Sequence, residues 1–117
     1  MRLRFPKTAR LSESSEFARL KRDGTSQAGR YLVLSFLRHG EGSPRLGLIT
    51  TRRVGGAVIR NRIRRRLREA YRATLPQLQE GVWVVLIARH RAAEATFAQL
   101  QEEWLRLARR AGILQTP

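Results

Sequence analysis

The residues with the clearest chemistry are arginines that recur at helical spacing between Ala57 and Arg72. This segment reads AVIRNRIRRRLREAYR and holds seven arginines but a single acid, Glu69. Like charges one helical turn apart repel by roughly 0.2–0.5 kcal/mol per pair, so one acid leaves most of this repulsion uncompensated. Guanidinium groups bind phosphate oxygens bidentately, and a phosphate backbone would relieve the repulsion. The segment therefore predicts phosphate binding. The alternative is an ordinary solvated face, which usually mixes charges of both signs.

A helical projection at about 100° per residue divides this segment into two stripes. The apolar stripe, expected to face a core, is formed by Ile59, Ile63, Leu67 and Ala70, with Tyr71 at its border. The opposite stripe is formed by Asn61, Arg65, Arg68 and Arg72. Beside it lie Arg62 and Arg64, whereas Arg60 and Arg66 fall nearer the apolar boundary. Asn61 is neutral: it either supplies directional hydrogen bonds to a base edge, a phosphate or a hydrated metal ion, or is an ordinary surface residue.

The loop before this helix extends the basic region. Arg52 and Arg53 follow two threonines, and Gly55-Gly56 allows backbone amides to approach an anion near the positive end of the helix dipole. The loop does not contain the GxxxxGK[ST] pattern, so the sequence gives no support for nucleotide hydrolysis.

The composition favours a polyanionic partner. The 117 residues carry a net charge of +15, and 42% of them are hydrophobic. This size and composition predict one domain over residues 1–117 that begins with a basic, extended lead-in at 1–10. RNA, DNA and an anionic membrane surface are the partner classes to consider. Lys7 and Lys21 are the only lysines, which reflects either the use of arginine forks for phosphate or a genomic or thermal bias toward arginine.

Other residues limit the possible functions. Cysteine is absent, no apolar run approaches the roughly 20 residues that span a bilayer, and the N-terminus lacks the apolar stretch of a secretory signal. We therefore expect a cytoplasmic protein. His39 and His90 are far apart, and Glu102-Glu103 is interpreted as a solvated pair. No acids or histidines stand at metal-ligand spacing, so no catalytic residue is predicted in the protein.

Periodicity and capping signals predict the first half of the fold. Ser12 is a candidate N-cap, with Glu13 and Glu16 in the first turn of a helix that ends at Asp23-Gly24. The apolar runs at 31–37 and 45–51 predict two strands, which we expect to pair as an antiparallel hairpin.

The second half contains a helix over about 57–75, a buried strand over 82–88 and a last helix. Thr96 and Gln99 are spaced as a capping box, and Gly112 is placed to end this helix. Its expected core face consists of Phe97, Leu100, Trp104, Leu107 and Ala111. The order helix, strand, strand, helix, strand, helix, with room for one further short strand, predicts an α+β fold, a two-layer sandwich.

The segment from Gly47 to Arg72, GLITTRRVGGAVIRNRIRRRLREAYR, resembles the signature of the bacterial ribonuclease P protein subunit. The resemblance is carried by the Arg60-Asn61-Arg62 centre, the Gly-Gly-Ala-Val run before it and the Arg-Glu-Ala run after it. It extends to Arg10-Leu11, to Ser15-Glu16-Phe17, to Ile87-Ala88-Arg89 and to the last helix.

This resemblance implies a subunit of an endoribonuclease whose partner RNA is the catalyst and removes the 5′ leader of precursor tRNA. The RNA would require Mg²⁺, and the protein alone would be inactive. The ribozyme-facing residues would be Arg52, Arg53, Arg60, Asn61, Arg62, Arg65, Arg68 and Arg72. A separate groove between the first helix and the sheet would hold the leader, near Phe17, Lys21 and Ser35. The resemblance also implies a left-handed crossover around the arginine-rich helix.

Two positions depart from the family pattern. Family members often have a second aromatic residue where this chain has Lys21, and another in the first strand where it has Ser35. We therefore expect the leader groove to depend less on stacking and more on charge. Phe17 is either a base-stacking residue or a core residue that holds the first helix to the sheet. The alternative function is a non-enzymatic RNA-binding module of ribosomal-protein type. A membrane-surface protein is disfavoured because the apolar stripe lies opposite the arginines.

Overall fold

The computed structural model describes residues 10–11, 14–40 and 42–115. The predicted N-cap Ser12, the first-turn acid Glu13 and most of the basic lead-in lie outside these residues. Within these described ranges there are three α-helices: α1 (Ser14–Asp23), α2 (Ala57–Arg72) and α3 (Phe97–Ala111). Four strands form one sheet: β1 (Thr25–Ala28), β2 (Leu32–Arg38), β3 (Arg45–Ile49) and β4 (Val82–Ala88). Short 3-10 helices lie at Leu75–Gln77 and His90–Glu94.

The order of the strands differs from the predicted hairpin. The sheet order is β1-β2-β4-β3, so β4 separates β2 from β3. β2 pairs antiparallel with β4, with Leu32 opposite Ala88, and β3 pairs parallel with β4, with Arg45 opposite Trp83. The prediction of a β2–β3 hairpin is therefore wrong. β4 is apolar throughout and almost fully buried, and such a strand is best placed between two neighbours.

The parallel pairing makes β3–α2–β4 a crossover unit, as the resemblance implies; its left-handed sense stays a prediction. The further short strand is β1, whose sequence Thr-Ser-Gln-Ala shows no apolar alternation and could not be recognised from its pattern. It pairs antiparallel with β2 at the sheet edge. With β1 included, the observed order of helices and strands matches the prediction, and the α+β class is confirmed.

Apolar clusters lie on both faces of the sheet. Alternate residues of β4 face opposite sides: Val84 and Leu86 belong to the main core with α2 and α3, whereas Trp83 and Val85 belong to a smaller cluster with α1. The sheet and the pair of helices α2 and α3 thus form the two predicted layers. Helix α1 covers part of the opposite face of the sheet. This arrangement places α1 and α2 on opposite faces of the sheet, beside the same edge strand, β3.

Most of the features predicted for α3 are confirmed. Thr96 and Gln99 form the capping box, and Gly112 ends the helix with a φ of 72°. Trp104 is fully buried and its indole Nε1 donates a hydrogen bond to Thr74 Oγ1 at 3.2 Å. Phe97, however, is 37% exposed, so its assignment to the core is wrong. Periodicity identifies a helix face, but not whether a neighbouring element covers its first turn.

Glu103 of the same helix was also misassigned, because it is buried and is not part of a solvated pair. Its carboxylate is 3% exposed and accepts hydrogen bonds from the backbone N–H groups of Arg30, Tyr31 and Leu32 at 2.7–2.8 Å. A Cβ at Gly29 would lie 2.6 Å from Glu103 Cδ, so glycine leaves the space that the carboxylate fills. Glu103 thus joins α3 to the start of β2.

Candidate nucleic-acid interface

The apolar stripe of α2 anchors the helix as predicted. Ile63, Leu67, Ala70 and Tyr71 are fully buried in the main core, and Ile59 packs against it while partly exposed. Burial raises the pKa of the Tyr71 phenol, so the phenol stays neutral and places no charge in the core beneath the helix. The arginines of α2 must consequently lie on its outer and lateral surfaces.

The outer surface of α2 is centred on Asn61 and Arg65, which are both exposed. The side chains of Val58, Asn61, Arg64, Arg65 and Arg68 line a shallow depression there. Val58 is 80% exposed, and Arg64 Nη1 approaches Asn61 Oδ1 at 3.4 Å. This surface offers guanidinium donors and one amide to solvent, without an acidic side chain in its lining.

The flank of α2 that faces α1 forms a groove along the edge of β3. Its cationic side chains are Arg10, Arg64 and Arg68, and its apolar wall includes Leu11, Phe17, Leu46 and Leu48. A Cβ at Gly47 would lie 2.9 Å from two carbons of the Phe17 ring, so the glycine allows the ring to lie against the strand. We call this the α1-side groove.

The charges of the α1-side groove repel each other. Burial is the main cause that lowers the pKa of Arg68, and the neighbouring charges of Arg10 and Arg64 lower it further. The charged form of Arg68 is therefore destabilised here relative to water. A bound phosphate would offset the repulsion and compensate for the lost hydration, because it supplies negative charge and hydrogen-bond acceptors.

The opposite flank of α2 faces α3, and its arginines are tied to the backbone. Arg62 Nη2 donates to the Ala93 carbonyl at 3.1 Å, and Arg66 Nη1 donates to the Ala95 carbonyl at 2.8 Å. These carbonyls belong to the segment that leads into α3. A depression on this flank is lined by Arg62, Arg65, Arg66, Glu69 and Phe97. We call it the α3-side depression.

Two of the residues predicted to bind RNA lie in the loop before α2 and are exposed to solvent. Arg52 and Arg53 are exposed, whereas Val54 is buried. A turn is closed by the Val54 and Gly55 amides, which donate to the Thr51 and Arg52 carbonyls at 3.1 and 3.2 Å. Gly55 has a φ of 149°, a conformation that favours glycine. Val54 thus anchors the loop in the core, and Arg52 and Arg53 of the loop extend the basic surface beyond the first turn of α2.

The structure brings only some predicted site residues together. Phe17 lies with Arg68 in the α1-side groove, so the groove is continuous with the arginine helix and not separate from it. Lys21 is exposed, and Ser35 is buried on β2, where its Oγ accepts a hydrogen bond from Ser26 Oγ at 3.3 Å. Neither lines the groove.

Three of the predicted ribozyme-facing arginines are half-buried at positions away from the outer surface of α2. Arg60 and Arg62 lie at its lateral boundary, and Arg72 donates to Glu69 Oε1 at 3.2 Å. Several residues outside the predicted set also line the groove and the depressions, among them Arg64 and Phe97. Arg64 was identified only as a neighbour of the basic stripe. The exposure of Phe97 could not be predicted from the sequence, because its spacing along the helix matched that of the core residues.

The position of α1 is fixed by contacts around Trp83. Arg19 and Arg45 lie over the indole at 5.7 and 5.9 Å from its centroid, and His39 stacks on it at 4.5 Å. Glu16 forms an ion pair with Arg45. These contacts hold α1 across β3 and β4, and so hold Phe17 over Gly47.

Two further properties concern the residues that the structure describes. Among them, histidine, aspartate and glutamate side chains form no group of three that could hold a metal ion. The helices of this described part include none long and apolar enough to cross a membrane.

Together these features define a small basic α+β protein whose central helix carries cationic depressions on its outer surface and both flanks. The family profile described as Ribonuclease P matches residues 5–112, and the chain belongs to this family. A ribonuclease P protein component from Roseiflexus castenholzii is 44% identical over 107 residues, which cover 91% of this chain and 88% of the relative. One from Natranaerobius thermophilus is 37% identical, covering 90% and 91%.

Solved structures agree with this assignment. The RNase P protein from Thermotoga maritima superimposes with a TM-score of 0.78 at 30% identity, covering 86% of this chain and 96% of its own. A Staphylococcus aureus RNase P protein mutant, described as defective in mRNA degradation activity, gives a TM-score of 0.85 at 27% identity, covering 92% and 91%.

Proposed function

We propose that the chain is the protein component of ribonuclease P, the endoribonuclease that removes the 5′ leader of precursor tRNA. The observation that carries the proposal is the continuity of the basic surface of α2 with the groove that contains Phe17. Membership of the family makes the chain part of this ribonucleoprotein. The ribosomal-protein alternative gains no support from any observation.

The outer surface of α2 and the loop before it are suited to a folded RNA. Arg52, Arg53, Asn61 and Arg65 are exposed, and their donors can reach the phosphates of an RNA partner, the ribonuclease P RNA. Such contacts neutralise phosphates and release counterions, so this surface sets affinity more than sequence preference. Arg60, Arg62 and Arg72 contribute from the boundary of this surface.

The α1-side groove is suited to a single strand, the 5′ leader. Phe17 offers a ring against which a base can stack, and three guanidinium groups stand within reach of the adjacent phosphates. Lys21 and Ser35 lie outside this groove. The leader would therefore follow β3 and the flank of α2, with Arg64 as an additional contact.

Cleavage is assigned to the RNA, together with the Mg²⁺ that it requires. Among the described residues, no group of three or more acids and histidines could hold a metal ion. The protein contributes by reducing repulsion between the phosphates of two RNAs and by holding the leader.

The experiment is reconstitution with the ribonuclease P RNA of the same genome and a precursor tRNA. The protein should raise kcat/KM at low Mg²⁺, and the protein alone should leave the precursor uncut. With the protein at concentrations that saturate the ribonuclease P RNA, Arg64→Ala with Arg68→Ala should raise KM for a precursor with a long leader but not for one with a single-nucleotide leader. Arg109→Ala with Arg110→Ala, which removes the same charge from an exposed part of α3, is the matched control. Equal losses in the two double variants would contradict the assignment of the groove.

A further inference from the structure

Phe97 is an aromatic side chain exposed within a group of arginines. Among the described residues, the large hydrophobic side chains that are exposed are Val58 and Phe97, and both line depressions on the surface of α2. Because Phe97 is 37% exposed, packing a partner against it would remove further apolar surface from water and stabilise the complex.

The backbone that carries Phe97 is held rigidly. Phe97 is the first residue of α3, directly after the capping box of Thr96. The segment before it is held by Arg62 and Arg66 through the Ala93 and Ala95 carbonyls. The ring is therefore presented from a fixed helix start, and little conformational entropy is lost when a ligand packs on it.

The positive charges around the Phe97 ring favour a ligand that carries phosphate. Arg62, Arg65 and Arg66 lie in the same depression as Phe97, and Glu69, the acid in its lining, accepts a hydrogen bond from Arg72. A guanidinium has five N–H donors, so one bond to a carbonyl leaves others for phosphate oxygens. An aromatic face bordered by three guanidinium groups matches a nucleotide, with a flat base next to its phosphates.

We propose that the α3-side depression binds an unpaired nucleotide of the partner RNA, with its base stacked on Phe97 and its flanking phosphates held by Arg62, Arg65 and Arg66. The depression is shallow and open to solvent, with about 420 Å³ of accessible space, so a nucleotide would lie on its surface with one face of the base against the ring. A base within a duplex already stacks on both faces, so only an unpaired or terminal base can use the ring. This inference rests on the proposed function, since it assigns part of the ribonuclease P RNA to this site.

The test compares three proteins for affinity toward ribonuclease P RNA in a filter-binding titration over several salt concentrations. Phe97→Leu keeps an apolar side chain without a ring, and should weaken binding about 5- to 100-fold. Phe97→Tyr keeps the ring and should bind within about twofold of the unmodified protein. The salt slope should be the same for all three, because no phosphate contact is lost.

Tyr31→Leu provides the matched control. Tyr31 is a half-buried ring beside Arg30, at 5.4 Å from its guanidinium carbon, and it lines none of the three depressions. This variant should bind RNA as the unmodified protein does. Equal affinities of the Leu and Tyr variants at position 97 would overturn the proposal. Failure of the unmodified protein to bind the RNA would instead refute the proposed function.

A second measurement identifies the occupant. With p-benzoylphenylalanine in place of Phe97, ultraviolet light should crosslink the protein to an unpaired or terminal nucleotide of the ribonuclease P RNA. Crosslinks confined to paired nucleotides, or to the leader of the precursor, would overturn the assignment. Melting temperatures of the position-97 variants within a few degrees of each other would show that the ring is not needed for folding.

Discussion

On the flank of α2 that faces α1, Arg64 and Arg68 line a groove in which neighbouring charges and burial disfavour the charged form of Arg68. On the flank that faces α3, Arg62 and Arg66 donate hydrogen bonds to backbone carbonyls. The four residues are of one type and lie within two turns of one helix. Burial and neighbouring positive charge destabilise the charged form of Arg68 in the free protein, whereas Arg62 and Arg66 contribute hydrogen bonds to the fold. The surroundings of each arginine, and not the type of residue, therefore determine whether it is hydrogen-bonded within the fold.

The largest expected effect is on stability, and it should distinguish the two flanks. Arg62→Ala with Arg66→Ala removes two charged donors from backbone carbonyls and should lower the free energy of unfolding by about 2 kcal/mol, the lower range for such bonds because both side chains are partly exposed. Arg64→Ala with Arg68→Ala removes the same charge and should leave stability unchanged or slightly higher. Urea denaturation measures both. Equal destabilisation would show that the flanks do not differ.

The next effect concerns salt dependence. For a single-stranded RNA with the leader sequence, Arg64→Ala with Arg68→Ala should reduce the log–log salt slope by about 1.4, since each neutralised phosphate contributes roughly 0.7 for single strands. Phe97→Leu should leave the affinity for this oligonucleotide unchanged, because the site proposed for its ring is for the other RNA. If Phe97→Leu weakened leader binding as well, the two flanks would serve one ligand.

A smaller effect is expected from Gly47→Ala. The added methyl group would meet the Phe17 ring at 2.9 Å and Val85 Cγ2 at 3.2 Å, so the ring must shift. We expect KM for a precursor with a long leader to rise several-fold, roughly the lower part of the range for one stacked base, while affinity for ribonuclease P RNA stays the same. An unchanged KM would indicate that Phe17 only holds α1 to the sheet.

The smallest effect is expected from Glu69→Gln on the α3 side. The Glu69–Arg72 pair is half-exposed, and such pairs contribute about 0–1 kcal/mol, so stability should change little. Loss of this negative charge should raise affinity for ribonuclease P RNA about twofold at low salt, and less at high salt because charges are then screened. Titrations at two salt concentrations measure this, and weaker binding would place Glu69 among the RNA contacts.

The sequence predicted the elements better than their arrangement. α2, α3 and β4 lie where periodicity and capping placed them, because these signals arise between residues a few positions apart. The β2–β3 hairpin was wrong because strand order depends on contacts between residues far apart in the sequence: the buried strand β4 lies between β2 and β3. Glu103 was misassigned for the same reason: its partners lie at Arg30–Leu32, about seventy positions away along the chain.

By itself, the sequence determined that α2 has an apolar face and a cationic face, and that the cationic face suits a phosphate polymer. Both follow from local spacing and from the excess of arginine over acids. The tertiary structure alone decided which arginines are used by the fold and which are left for a ligand. That distinction depends on which elements pack beside α2: α1 with Phe17 on one flank, and the carbonyls before α3 with Phe97 on the other. No spacing along the helix encodes these neighbours.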